Sequence, residues 1–208
     1  MEKQYILFDF DGVIMDSFAP AFQVNKMICP HITEDDYRKR FEGNINDWKK
    51  IQQEHTSECR LDIDFFAEYF SVMMDQARVI PDMTEIVEKL SKEYTMIVIT
   101  SNSGILVDEL MRKYDLTKYF VEIMGTEVSK SKVEKIKMVF EKYKTDFSKC
   151  VFITDTLGDI LEAKENDVGS IAVSWGFQNV ETLKRGMPFR IVDKKEDLMV
   201  AVSDYFSK

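Results

Sequence analysis

At 208 residues and 45% hydrophobic, the chain can bury a proper core as one domain with room for a modest second lobe. A formal net charge of −9 argues against nucleic acid as a partner, since a phosphate backbone calls for a basic face, and any anion site must bring its own local cations. No apolar run approaches the ~20 residues a bilayer needs and no cleavable signal precedes the first apolar run, so the expectation is a cytoplasmic protein outside the membrane.

The first predicted strand, residues 5–10, ends in Asp9-Phe10-Asp11-Gly12-Val13. Two carboxylates one residue apart project to the same side where the strand opens into a loop, and Gly12 permits a tight turn there. Residues 16–79 then show no strand-like run and several helical stretches, which reads as a helical insert. Its clearest stripe, Phe66, Tyr69, Phe70 and Met73, reads as the packing face of a small helix bundle. Cys29, Cys59 and Cys150 are odd in number and lack a CxxC spacing, which favours reduced, small core residues over a disulfide framework or a zinc site. Arg40, Glu42, Asn44, Asn46 and Trp48 are candidates for ligand contact, though each reads more simply as surface or insert core.

From residue 80 onward short apolar runs alternate with amphipathic helical patterns, the signature of βαβ units and a parallel sheet. Pro81 marks the return to the main domain, giving an α/β core at 1–15 and 80–208. The predicted strands are 96–100, 120–124, 151–154, 170–174 and 189–192, short and apolar as expected of strands buried on both faces. Between them, Val87, Leu90 and Tyr94; Val107, Leu110, Met111 and Tyr114; and Val133, Ile136, Val139, Phe140 and Tyr143 recur near a 3.6 period.

Three of these strand ends carry polar residues suited to phosphate chemistry. The second opens into Ser101-Asn102-Ser103, placing hydroxyl, amide and backbone N–H groups where an anion would sit. The segment 128–132 supplies Lys130 and Lys132 beside the same sheet edge. The strand 151–154 ends in Asp155 and Asp159, four residues apart across a turn into a helix; hard cations such as magnesium take one or two such carboxylates. Asp155 reads as the metal ligand and Asp159 as a helix N-terminal acid or a supporting group.

An Asp pair, a Ser/Thr, a Lys and a second Asp pair at successive strand ends make the chain similar to the haloacid dehalogenase superfamily, whose four motifs come in this order. The resemblance covers nearly the whole chain. It implies a Rossmann-like doubly wound core with a helical cap at 16–79, as in phosphoglycolate phosphatases and β-phosphoglucomutases. It also implies Asp9 as nucleophile, Asp11 as acid and base, Ser101 as the second motif's hydroxyl with Thr100 as the alternative, and Lys132, which begins the next helical pattern, as the third motif's lysine with Lys130 as the alternative. Asn102 would bind phosphate with Ser101 and Lys132. Magnesium would be held around Asp9, Asp11, Asp155 and Asp159. Two positions depart from the family's habit: Asp82 follows Pro81 where relatives often have Gly, and Thr154 stands where many have Gly or Glu.

Dehalogenases of the superfamily lack an aspartate at the position of Asp11, and an alkoxide leaving group must be protonated whereas a halide need not be. Asp11 therefore argues for phosphate ester chemistry, and the helical insert over the sheet edge for a small phosphorylated metabolite as substrate. Four aspartates and a phosphate dianion outweigh one magnesium ion and one lysine, which favours a protonated Asp11 in the substrate complex. Alternatives left open are a sugar-phosphate mutase on the same core, a phospho-accepting regulatory domain and an inactive binding module.

Overall fold

The computed structural model describes residues 3–46 and 55–207. Along the chain the strands are β1 (Tyr5–Phe8), β2 (Met15–Asp16), β3 (Arg78–Val79), β4 (Thr95–Ile99), β5 (Glu122–Met124), β6 (Cys150–Thr154), β7 (Gly169–Val173) and β8 (Arg190–Val192). Six of them pair in parallel in the spatial order β5-β4-β1-β6-β7-β8, the doubly wound α/β sheet expected from the alternation. Each of the expected strands is present, shifted by a residue or two at its ends.

β1 sits at the middle of the sheet, with Phe8 in register with Val98 of β4 on one side and Ile153 of β6 on the other. Its period-2 alternation divides the core. Ile6 and Phe8 face one layer, shared with α4 (Met83–Ser91), α5 (Gly104–Lys113) and α9 (Asp197–Phe206); Tyr5 and Leu7 face the other, shared with α6 (Lys132–Tyr143) and α7 (Leu157–Lys164). A short helix α8 (Val180–Lys184) lies between β7 and β8. The residues that follow β1, β4 and β6 thus emerge side by side at the carboxyl edge, where such sheets bind ligands.

The stretch between β1 and α4 carries α1 (Phe18–Ile28), α2 (Glu34–Lys39) and α3 (Phe65–Gln76), with α1 and α3 packed together. Its two ends do form strand, contrary to the sequence reading. β2 and β3 pair antiparallel, Met15 with Val79 and Asp16 with Arg78, which places the two connections to the sheet side by side. Runs of two residues have no period to detect, so they were invisible to pattern reading. The aromatic stripe of α3 also differs from expectation. Met73 is buried and Tyr69 half-buried, but Phe66 is 82% exposed and Phe70 40% exposed, so the stripe is wider than the face it packs. Trp48 lies outside the described residues.

Asp82 occupies left-handed backbone at φ 67°, immediately before α4, and its side chain makes no capping bond to that helix. A side chain strains such a position by roughly 1–2 kcal/mol, which explains why Gly is the easier residue there. Asp82→Gly is expected to stabilise the fold by about 0.5–1 kcal/mol, after the extra unfolded-state entropy of Gly is deducted. Urea unfolding midpoints check it; a lower midpoint would mean the carboxylate contributes something its geometry does not display.

Candidate active site

The chain leaves β1 through Asp9 and turns back at Gly12, where φ is 74°. A Cβ at Gly12 would lie 2.0 Å from Asp155 Oδ2, and one at Gly176 would lie 2.2 Å from the same atom. Both glycines are therefore required by close approach to one carboxylate. Asp155 is fully buried between them; its Oδ2 accepts the Phe177 N–H at 2.6 Å, while its Oδ1 is buried without a hydrogen-bond partner. Burial pushes the Asp155 carboxyl up to about 7, against the pull of the Phe177 N–H.

Lys132 is the first residue of α6, whose N-cap Ser131 accepts the Glu134 N–H at 3.3 Å. Its side chain runs inward, and Nζ donates to Asp9 Oδ1 at 2.8 Å and to Asp159 Oδ2 at 2.7 Å, all three groups being buried. Thr154 adds a hydroxyl to Asp159 Oδ2 at 2.7 Å. Burial alone would depress the lysine, but Asp159 and Asp9 outweigh it and hold Lys132 charged. Burial likewise raises Asp9 well above the carboxylate range, Lys132 pulling it back while Asp159 and Asp155 push it further up. Of the two lysines left open by the sequence, Lys132 reaches the carboxylates. Lys130 offers its backbone carbonyl, which accepts the side-chain amides of Asn44 and Asn46 at 3.2 and 2.8 Å.

At the end of β4 the Thr100 hydroxyl is buried and accepts the Asn102 N–H at 3.0 Å. Ser101 is half-buried. Asn102 gives its amide to Asp11 Oδ2 at 3.1 Å and to the Tyr69 hydroxyl oxygen at 3.2 Å. Burial raises the Asp11 carboxyl, with the Ser17 hydroxyl and Asn102 opposing the shift. Tyr69 belongs to α3, so the helical stretch reaches the second carboxylate through one amide.

The same stretch is docked on the core by residues 38–46. Gly158 N–H donates to the Phe41 carbonyl at 2.9 Å, Asn44 donates to Glu162 Oε1 at 2.9 Å, and Arg185 pairs with Glu42 at 2.8 Å. Arg38 donates to the Phe177 carbonyl, and Gln178 bridges the Leu157 N–H and the Arg38 carbonyl. Glu42, Asn44 and Asn46 are thus committed to docking, and Arg40 reaches Asn25 at 2.7 Å within the helical stretch.

Comparison with known proteins decides the family. A family model described as haloacid dehalogenase-like hydrolase matches residues 6–173. The chain belongs to the haloacid dehalogenase-like hydrolases. A phosphoglycolate phosphatase of Vibrio parahaemolyticus is 24% identical to this hydrolase over 95% of each chain. Among solved structures, a predicted phosphatase from Clostridium acetobutylicum superposes with a TM-score of 0.82 at 20% identity, covering 98% of this chain and 100% of its own. A haloacid dehalogenase-like family hydrolase from Streptococcus pneumoniae does so at 0.77 and 18% identity, covering 96% and 98%. The hydrolase is by class a phosphoric monoester hydrolase.

The residues of the hydrolase suit the magnesium that its family implies. The carboxylates of Asp11 and Asp155 offer hard oxygen ligands: Asp155 Oδ1 is buried without a protein hydrogen-bond partner, and Asp11 Oδ1 is likewise buried and unpartnered. A carboxylate held ionised in such surroundings calls for a cation. Asp159, with Oδ2 already taken by Lys132 and Thr154, is placed to orient the lysine. Sequence reading missed Glu162, whose Oε1 accepts the Lys132 N–H at 2.9 Å, and Lys135, whose buried ammonium donates to the Thr100 carbonyl at 2.5 Å. Neither is part of a motif; the helical spacing from Lys132 to Lys135 was the one signal available.

Proposed function

We propose that this hydrolase is a magnesium-dependent phosphatase of small phosphorylated metabolites in the cytoplasm, working through an aspartyl-phosphate on Asp9. The observation that carries the reading is the buried pair of Lys132 bonds, one to Asp9 and one to Asp159, set beside a raised Asp11. Asp9 attacks phosphorus in line while Asp11 gives its proton to the departing alkoxide; Asp11 then takes a proton from the water that cleaves the acyl phosphate. Lys132, the Ser101 hydroxyl and the backbone N–H groups after β4 bind the phosphate oxygens. Asp9, Asp155 and the Asp11 carbonyl would hold magnesium, which when bound would supply positive charge against a carboxylate–phosphate repulsion worth ~4 kcal/mol at ~4 Å and an effective dielectric of ~20.

Residues 16–79 act as the cap. The paired strands β2 and β3 support this reading by joining the two tethers, and Tyr69, bonded to Asn102 beside Asp11, would meet the leaving group while Asn102 helps to bind phosphate. Relatives named phosphoglycolate phosphatase support a small substrate, since a closed cap excludes bulky ones. The test is a phosphate-release screen over phosphorylated metabolites and one phosphoprotein. Chelation followed by desalting is expected to abolish release and magnesium to restore it, with the best small ester far ahead of the phosphoprotein. Full activity without added metal would defeat the magnesium reading, and equal turnover of the phosphoprotein would defeat the cap reading.

A further inference from the structure

The chain has two histidines and three cysteines, and both histidines and two of the cysteines gather at one place in the helical insert. None of them belongs to the carboxylate set. Cys29 is the buried C-cap of α1, followed by a turn closed by the Ile32 N–H on the Cys29 carbonyl. Cys59 closes a second turn, its N–H on the Thr56 carbonyl at 3.1 Å, and the next residue ties the two turns together: Arg60 N–H donates to the Ile28 carbonyl at 2.7 Å. Across this junction Cys59 Sγ lies 2.9 Å from Cys29 Sγ, Cys29 Sγ lies 3.4 Å from His55 Nδ1, and Cys59 Sγ lies 3.9 Å from His31 Nδ1. The donor atoms of Cys29, His55 and Cys59 all fall within 4.8 Å of one another. Cys29 and Cys150 are free, buried thiols, as the sequence reading expects, whereas Cys59 is half-exposed, which corrects the reading of that one cysteine.

We propose that Cys29, His55 and Cys59, completed by His31, form a structural zinc site in the insert, separate from the magnesium ligands. Two thiolates and two imidazoles are a soft donor set, which suits zinc and repels the hard cation that the aspartates take. In a tetrahedron with Zn–S ~2.3 Å and Zn–N ~2.0 Å, sulfur and nitrogen stand ~3.5 Å apart and two sulfurs ~3.8 Å. The S–N distances of 3.4 and 3.9 Å are near that spacing, the sulfurs need to part by about 1 Å, and His31, which touches Cys59 but lies outside the set of mutually close donors, would have to swing in as the fourth ligand. The pattern is two local pairs, Cys29 with His31 and His55 with Cys59, which is how structural zinc sites staple distant turns. Here the ion would fasten the end of α1 to the segment leading into α3. Binding is not a redox step: each thiol releases its proton to water as it takes the metal.

The test uses the full-length protein, reduced, stripped with chelator and titrated with cobalt(II). Expected are the near-ultraviolet thiolate-to-cobalt charge transfer and the visible bands of a tetrahedral ion, both displaced by zinc at a stoichiometry of about one per chain. Cys59→Ser and His55→Ala, at accessible positions that leave the core intact, should each weaken zinc binding by on the order of 10²-fold or more, with the thermal midpoint no longer rising on zinc addition. Cys150→Ser, a buried thiol outside the cluster, should keep the signal, with circular dichroism confirming the fold of all three. The proposal fails if cobalt gives no charge-transfer band or if the band survives in Cys59→Ser. It fails equally if the reduced protein takes no metal and mild oxidation joins Cys29 to Cys59, the pair then being a disulfide.

Discussion

Asp9→Asn is expected to lower phosphate release by on the order of 10³-fold or more while leaving the fold as stable as before. The amide keeps the shape of the side chain, and its oxygen can still accept the Lys132 ammonium that Asp9 Oδ1 accepts at 2.8 Å. What it loses is the nucleophilic charge. Stability does not follow activity down, because burial raises the Asp9 carboxyl well above its usual range, which means that the ionised form is the one the fold disfavours. A neutral replacement removes that penalty, so the urea midpoint should hold or rise. The pairing of a dead enzyme with an unimpaired fold separates loss of chemistry from unfolding. Retention of more than about a tenth of wild-type release, with mass spectrometry excluding deamidation back to Asp, would end the covalent reading, since a lost nucleophile costs orders of magnitude.

The carboxylates and lysine of this site were legible because they stand at strand ends, and strand ends can be located from apolar runs alone. Asp9 follows β1 and Asp155 follows β6, and parallel pairing of β1 with β6 then forces them together. Between Lys130 and Lys132 the sequence offered a preference for Lys132, which begins the helical pattern of Ile136 and Val139, but not a decision. Both flank Ser131, and what separates them is which one begins α6 and points inward, a matter of a single residue of helix phase. Tyr69 was hidden for a related reason: a 3.6 period marks which residues of α3 share a face, but not that this face is narrower than the stripe, nor that Asn102 waits opposite.

Long-range polar partners left no trace at all. Glu162 meets the Lys132 N–H from 30 residues away and Asn44 from 118. Gly176 is required only because Asp155 lies against it, and nothing in the local sequence says so. The Cys/His cluster failed differently. Spacing rules look for close pairs of cysteines, whereas here each cysteine pairs with a histidine and the two halves are 30 residues apart, as the Cys29–Cys59 contact shows. Asp82 ran the other way: its departure from the family habit was visible in sequence and acquired a cause only with its positive φ.

Lys132→Met should cost about 3–5 kcal/mol of stability, because it leaves two buried carboxylates without the cation that both of them contact. Activity should fall by on the order of 10²–10³-fold as well, since the same ammonium is the fixed positive charge nearest the nucleophile. The stability deficit should depend on pH with a definite sign. Lys132 lowers the Asp9 carboxyl, so its removal raises that group further above the unfolded value near 3.8. A carboxyl whose folded pKa exceeds its unfolded one takes up a proton on folding, and stability then falls as pH rises through the interval between the two. The variant should therefore lie closer to wild type at pH ~5 than at pH ~8, as read from urea midpoints at both. Lys130→Met is the internal control: its structural contribution is a backbone carbonyl for Asn44 and Asn46, which the substitution leaves in place, so it should change neither quantity by more than about 0.5 kcal/mol. A deficit equal at both pH values, or matched by Lys130→Met, would remove Lys132 from the centre of the site.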